Sequence, residues 1–357
     1  MSDGLAAVSL VGLPAAEADG LRLEAARIRA ALGDWPEPAG AIRLRLGDAP
    51  PSDADDWVLL TLDAQTVRLH AARQSYTLVS RAALDEGKVW LAALAAFAAC
   101  GFAAQDALAL ALAWRAGDET RADDPWPSDL SRFPQVAGAP VAPPKPFAPC
   151  PDHLGIYPVL PDASWIERAL DAGARTVQLR VKDAAPERLR AEIERAVAAG
   201  RRYPDARVFI NDYWELALEA GAYGVHLGQE DLTEANLGKL ADAGLRLGLS
   251  SHGYYEILLA LQLRPSYLAL GPIFSTATKQ VAAPPQGLAR LARYARLAAP
   301  QAPLVAIGGI DLTNIAAVRA AGVGSAAVVS AVTARNTVAE AVTALQEEFG
   351  DNPHSMK

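Results

Sequence analysis

Two short apolar runs in this chain empty directly into carboxylates. Residues 208–212 read VFIND and residues 224–231 read GVHLGQED, so Asp212 and Asp231 each follow a run of buried-strand character, the pattern of a strand that opens onto a polar site. If the two strands are parallel neighbours, the carboxylates converge, and at about 4 Å apart they would repel by about 4 kcal/mol at an effective dielectric near 20. A shared divalent cation removes that repulsion. All-oxygen ligands with no Cys or paired His beside them favour Mg²⁺ over zinc. The alternative is that each Asp is a helix N-cap following its strand.

Other polar groups recur at the ends of apolar runs. Gln178, Arg180 and Lys182 alternate along residues 176–182 and so share one face of a strand; that face is either the inside of a closed sheet or a solvated edge. Asn211 precedes Asp212, and Ser250, Ser251 and His252 follow another run. Residues 271–279, GPIFSTATK, place Ser275, Thr276, Thr278 and Lys279 on one loop, a donor set suited to closing over a phosphate. Gly308-Gly309 would let a ligand approach backbone amides, and Val329-Ser330 adds a small hydroxyl on the next loop. His226 shares a face with Gly224 and Gly228 and reads as a core residue without a catalytic role.

The elements that must position these groups are eight apolar runs, at residues 155–160, 176–181, 208–210, 224–227, 245–249, 267–270, 304–307 and 326–329. Most of the spacers are amphipathic and end in AG or GA, where Gly supplies a left-handed C-cap before the next strand. Such a βα repeat predicts an α/β fold, a (β/α)8 TIM barrel over residues 152–357, whose length lies near the lower end of the roughly 200–250 residues typical of that fold. An open doubly wound sheet is the runner-up, but it usually wants a Gly-rich turn after its first strand, and Leu160-Pro161-Asp162 is not one.

Ahead of the barrel, residues 1–133 read as a small α/β accessory domain. Helices are expected at 24–32, 88–99 and 104–115, and strands at 41–46 and 57–62. The apolar stretch 89–114 is interrupted by Cys100-Gly101 and Gln105-Asp106, short of the about 20 residues a membrane span needs. Seven prolines in residues 134–151 predict an extended connector. With 51% hydrophobic and 21% charged residues the chain can bury a sizeable core, and a net charge of −8 leaves no footprint for nucleic acid. The N-terminal residues lack the basic region of a signal peptide, and the two cysteines, Cys100 and Cys150, have no metal-ligand spacing. A cytoplasmic protein is expected, with neither membrane nor nucleic-acid partners; self-association into a homo-oligomer is compatible with the sequence.

Taken together, QLRVKD, FINDYWELALEAGAYGVHLGQEDL, LGLSSH, GPIFSTATK, VAIGGI and VVSAV, in this order and over residues 155–332, resemble the thiamine phosphate synthase family. The resemblance implies a Mg²⁺-dependent transferase acting on two small molecules, in which hydroxymethylpyrimidine diphosphate loses pyrophosphate and its methylene carbon is attacked by the ring nitrogen of hydroxyethylthiazole phosphate. It implies Arg180, Lys182, Asn211 and Lys279 on the pyrophosphate, with Arg180, Lys182 and Lys279 as the catalytic cations and Asp212 and Asp231 on the metal. It further implies Gln178 and Ser250 on the pyrimidine, and Thr276, Thr278, Gly309, Val329 and Ser330 on the thiazole phosphate. Ser275 departs from the family, which often has Pro there. Residues 84–101 resemble the C-terminal helical region of ribokinase-like hydroxymethylpyrimidine kinases, but Asp85-Glu86-Gly87-Lys88 stands where those enzymes carry a Gly-rich anion hole, so a degenerate accessory domain is expected. Two other classes stay open: a thiazole tautomerase, which binds thiazole and transfers nothing, and a non-catalytic sensor of phosphate ligands.

Overall fold

A computed structural model describes residues 4–47, 53, 55–85, 87–276, 284–334 and 337–350. The chain forms two compact units, Met1–Ala139 and Pro140–Lys357. In the first, β1 (Val8–Val11), α1 (Ala15–Ala31), β2 (Ile42–Leu46), β3 (Asp56–Thr61), β4 (Thr66–Ala71), β5 (Gln74–Val79), α2 (Val89–Ala99), α3 (Ala104–Ala113) and β6 (Gln135–Val136) follow in order. The six strands make one sheet in sequence order, parallel from β1 to β3 and antiparallel from β3 to β6. Every residue of α2 from Trp90 to Ala99 is buried, because this helix packs against both α1 and α3 and has no face for water. Among the described residues no helix is long and apolar enough to cross a membrane.

The proline-rich residues 134–151 are not simply a connector between the units. Gln135 and Val136 pair with β5. Further on, the carbonyls of Pro143, Ala148 and Pro149 accept hydrogen bonds from Arg264, the Ser266 hydroxyl and Arg246, and Lys145 donates to the Asp242 carbonyl. Backbone that cannot bond itself is satisfied by barrel side chains.

The second unit is a closed parallel barrel of eight strands, β7 (Gly155–Leu160), β8 (Thr176–Leu179), β9 (Arg207–Asn211), β10 (Gly224–Leu227), β11 (Arg246–Ser251), β12 (Tyr267–Leu270), β13 (Leu304–Ile307) and β14 (Ser325–Val328), with β14 pairing back onto β7. The helices are α4 (Ala163–Asp171), α5 (Pro186–Gly200), α6 (Trp214–Ala220), α7 (Leu237–Asp242), α8 (Tyr254–Gln262), α9 (Gly287–Ala298), α10 (Ile315–Ala320), α11 (Ser330–Thr333) and α12 (Val338–Phe349). The expected TIM barrel is therefore present, and the open sheet is not.

Alternation along each strand fills the barrel. Tyr157, Val159, Phe209, Tyr267, Ala269, Val305 and Ala327 form its buried core with Leu154. Large rings from β7, β9 and β12 need room, and the neighbouring strands provide it as glycine. A Cβ on Gly248 would lie 2.2 Å from Cζ of Tyr267, and one on Gly224 would lie 2.6 Å from Cε1 of Phe209. Gly248→Ala should therefore destabilise the protein by about 1–3 kcal/mol through overpacking, measured as a lowered midpoint in denaturant. An unchanged midpoint would show that the interior accommodates a methyl beside Tyr267.

Candidate active site

The C-terminal strand ends converge on one cavity of about 630 Å³, within the range of roughly 300–1,000 Å³ usual for small-molecule sites. On β8, Gln178 is buried, and the ladder continues past the strand because the Arg180 N–H donates to the Leu160 carbonyl at 2.8 Å. Arg180 is thus carried on rigid backbone, half-buried, while Lys182 lies further out and exposed. Asn211 closes β9 and is buried.

Asp212 turns the chain sharply. Its φ of 64° is left-handed, a conformation that Asp tolerates better than most side chains. Its N–H donates to the His226 carbonyl at 3.0 Å, and its own carbonyl accepts from Trp214 at 2.7 Å. Asp231 lies in the 3-10 turn Glu230–Thr233, and its Oδ2 accepts the Gly228 N–H at 2.7 Å. Neither residue is the N-cap of a helix: α6 is preceded by Tyr213 and α7 is capped by Asn236. Both carboxylates line the cavity. Among the described residues there is no cluster of three or more His, Cys, Asp or Glu side chains that could hold a metal.

Every sequence-predicted site residue among the described ones lines the same cavity: Gln178, Arg180, Lys182, Asn211, Asp212, Asp231, Ser250, Thr276, Gly309, Val329 and Ser330. Thr278 and Lys279 lie outside the described residues. Gly308 and Gly309 have φ values of 103° and 64°. A Cβ on Gly308 would lie 2.6 Å from Pro272, and one on Gly309 would lie 2.6 Å from the Ser275 carbonyl. These glycines therefore seat the segment that carries Thr276, in addition to leaving backbone open at the rim.

Five further charged or titratable groups line the cavity without having been singled out as ligands: Asp162, Arg188, His226, Glu230 and His252. Asp162 caps α4, its Oδ1 accepting from the Trp165 N–H at 3.0 Å. Arg188 stands on the polar face of α5, where sequence alone gives a solvated arginine. His252 Nδ1 meets Glu256 Oε2 at 2.8 Å, and the same oxygen accepts the His252 N–H, an i,i+4 pairing whose spacing is visible in the sequence.

Residues 157–332 match the family described as thiamine monophosphate synthase. The thiamine-phosphate synthase of Escherichia coli O1:K1 is 57% identical over 187 residues, which cover 52% of this chain and 88% of that protein. The chain belongs to the thiamine-phosphate synthase family. The Shigella flexneri thiamine-phosphate synthase is equally similar, 57% identical over 187 residues with the same coverage, 52% of this chain and 88% of that protein. A solved structure, a thiamine phosphate pyrophosphorylase from Pyrococcus furiosus, superposes with a TM-score of 0.50 at 30% identity, covering 56% of this chain and 96% of that one. The family match begins inside β7 and takes in every cavity residue named above, so the thiamine-phosphate synthase region is the barrel, and the first unit lies outside it.

Proposed function

We propose that the barrel joins hydroxymethylpyrimidine diphosphate to hydroxyethylthiazole phosphate, releasing pyrophosphate. Family membership makes the chain a transferase of the thiamine phosphate-forming type. The observation that carries the assignment of roles is the convergence of Gln178, Arg180, Lys182, Asn211, Asp212, Asp231 and Ser250 from consecutive strand ends onto one cavity.

In this reading Arg180, Lys182 and Asn211, with Lys279, hold the diphosphate. The C–O bond at the pyrimidine methylene breaks with its electron pair leaving on pyrophosphate, and the thiazole nitrogen lone pair forms the new C–N bond. Charge accumulates on the departing oxygens, so fixed cations stabilise the transition state more than the ground state. No strong protein base is required, because the amino-substituted ring supports the electron-poor methylene. Gln178 and Ser250 address the pyrimidine, and Thr276, Thr278, Gly309, Val329 and Ser330 the thiazole phosphate.

Asp212 and Asp231 fit Mg²⁺. This ion dehydrates reluctantly, keeps several waters and is usually held by one or two carboxylates plus substrate phosphate oxygens, not by an all-protein cage. When bound it supplies charge neutralisation of the leaving pyrophosphate. The reading places the protein in the cytoplasm, supported by its free cysteines.

The deciding experiment is pyrophosphate release and thiamine phosphate formation from both purified substrates with Mg²⁺. Substrate binding without turnover would instead leave a sensor or a tautomerase. Residues 140–357 alone should retain most of the activity, since the family match, residues 157–332, lies wholly within them. A soluble, folded and inactive barrel would assign the first unit a part in the chemistry.

A further inference from the structure

At the cavity wall and beneath it, five side chains from five strands form one hydrogen-bonded chain. Gln178 Nε2 donates to the Tyr157 hydroxyl at 3.1 Å, Tyr157 meets the Tyr267 hydroxyl at 3.0 Å, Tyr267 meets His226 Nδ1 at 2.7 Å, and His226 Nε2 meets Ser250 Oγ at 2.8 Å. Its two ends, Gln178 and Ser250, line the cavity together with His226, whereas the phenols do not. Tyr157 and Tyr267 are about 1% and 0% exposed.

Proton counting gives the chain a direction. Burial raises the pKa of both phenols, so each keeps its single proton and can donate only once. A phenol that accepts on one side must donate on the other. With Gln178 donating into the chain, Tyr157 donates to Tyr267 and Tyr267 to His226 Nδ1. Neutral His226 then donates from Nε2 to Ser250. Both imidazole links favour this direction, because a phenol is a stronger acid than an aliphatic hydroxyl and its oxygen is the weaker acceptor.

We infer that Tyr157, Tyr267 and His226 form a proton-ordered relay that fixes the polarity of the pyrimidine site, presenting the Gln178 carbonyl as acceptor and the Ser250 hydroxyl as donor. This rests on the assignment of Gln178 and Ser250 to the pyrimidine. The two ends are then complementary to an amino group next to a ring nitrogen, one donor and one acceptor. A 4-oxo pyrimidine carries the opposite pair, a carbonyl beside a ring N–H. To bind it, all four hydrogen bonds must reverse together, or buried polar groups must be left mismatched. The two tyrosines are positioning residues, since they act through Gln178 and Ser250 without touching the cavity.

The test compares binding of the 4-amino and 4-oxo pyrimidine diphosphates by calorimetry, alongside turnover, for the full chain and its Tyr267→Phe and Tyr157→Phe variants. Each variant removes one oxygen and keeps the ring. Wild type should prefer the 4-amino form. Cutting the relay lets the ends reverse independently, so the preference should shrink by about tenfold or more, as expected for one buried polar mismatch, while KM for thiazole phosphate stays unchanged. A general loss of structure would weaken both pyrimidines alike and leave their ratio where it was. An unchanged ratio in whichever variant folds, or a wild type that does not discriminate, overturns the relay. Absence of thiamine phosphate with wild type would instead overturn the functional assignment, and the binding ratio would still judge the relay.

Discussion

Asp212→Asn is expected to lower kcat by about 10²–10³-fold, or about 2.7–4 kcal/mol, the magnitude of one lost electrostatic contact to charge developing in a transition state. The substitution is chosen for its backbone. Asp212 sits at φ 64°, and Asn accepts that conformation while removing the negative charge. Asp212→Ala should show the same loss of kcat with an added stability loss of about 1–2 kcal/mol, because alanine has no side-chain bond to offset left-handed geometry. Steady-state kinetics with a Mg²⁺ titration, set beside denaturant midpoints, separates the two effects. The Asn variant should need more Mg²⁺ for half-maximal rate at nearly wild-type stability. Wild-type turnover in both variants would remove Asp212 from the metal site.

Much of the barrel is legible because its strands are apolar runs with polar residues at their C-terminal ends, several of them preceded by a helix-ending glycine such as Gly173, Gly221, Gly244 or Gly322. The runs at 155–160, 224–227, 267–270 and 304–307 coincide with β7, β10, β12 and β13. The first unit is less legible for a specific reason. The β4–β5 hairpin turns on Ala72-Arg73, with φ of 48° and 65°, a pair of left-handed residues where Asn-Gly or Asp-Gly is the usual signal. Without that signal neither strand was expected. β6 is a two-residue strand inside a proline-rich stretch, where composition argues for extended backbone but cannot say which edge it meets.

The site shows the same boundary between local and nonlocal information. Strand-end carboxylates, amides and cations declare themselves in sequence. The relay does not, because Tyr157 and Tyr267 are 110 residues apart and meet only when the barrel closes. In sequence each is an aromatic residue on a buried face. His226, read there as a core histidine, is indeed buried, yet both of its ring nitrogens are engaged between Tyr267 and Ser250 and it reaches the cavity wall.

Arg180 provides the second large effect. It lines the cavity half-buried, on backbone held by its bond to Leu160, whereas Lys182 lies further out and is exposed, so its removal takes a cation from the cavity wall. Arg180→Ala should lower kcat/KM for the pyrimidine diphosphate by about 10²–10³-fold. Arg180→Lys should recover only part of this loss, since an ammonium keeps the charge but not the planar fork that engages two phosphate oxygens at once. The split between substrates is the sharper readout. If Arg180 holds the leaving diphosphate, KM for thiazole phosphate remains near wild type in both variants while the pyrimidine terms change. Should KM for thiazole phosphate alone rise, the two anionic groups occupy opposite sides of the cavity from those assigned here, and Arg180 belongs to the acceptor's phosphate.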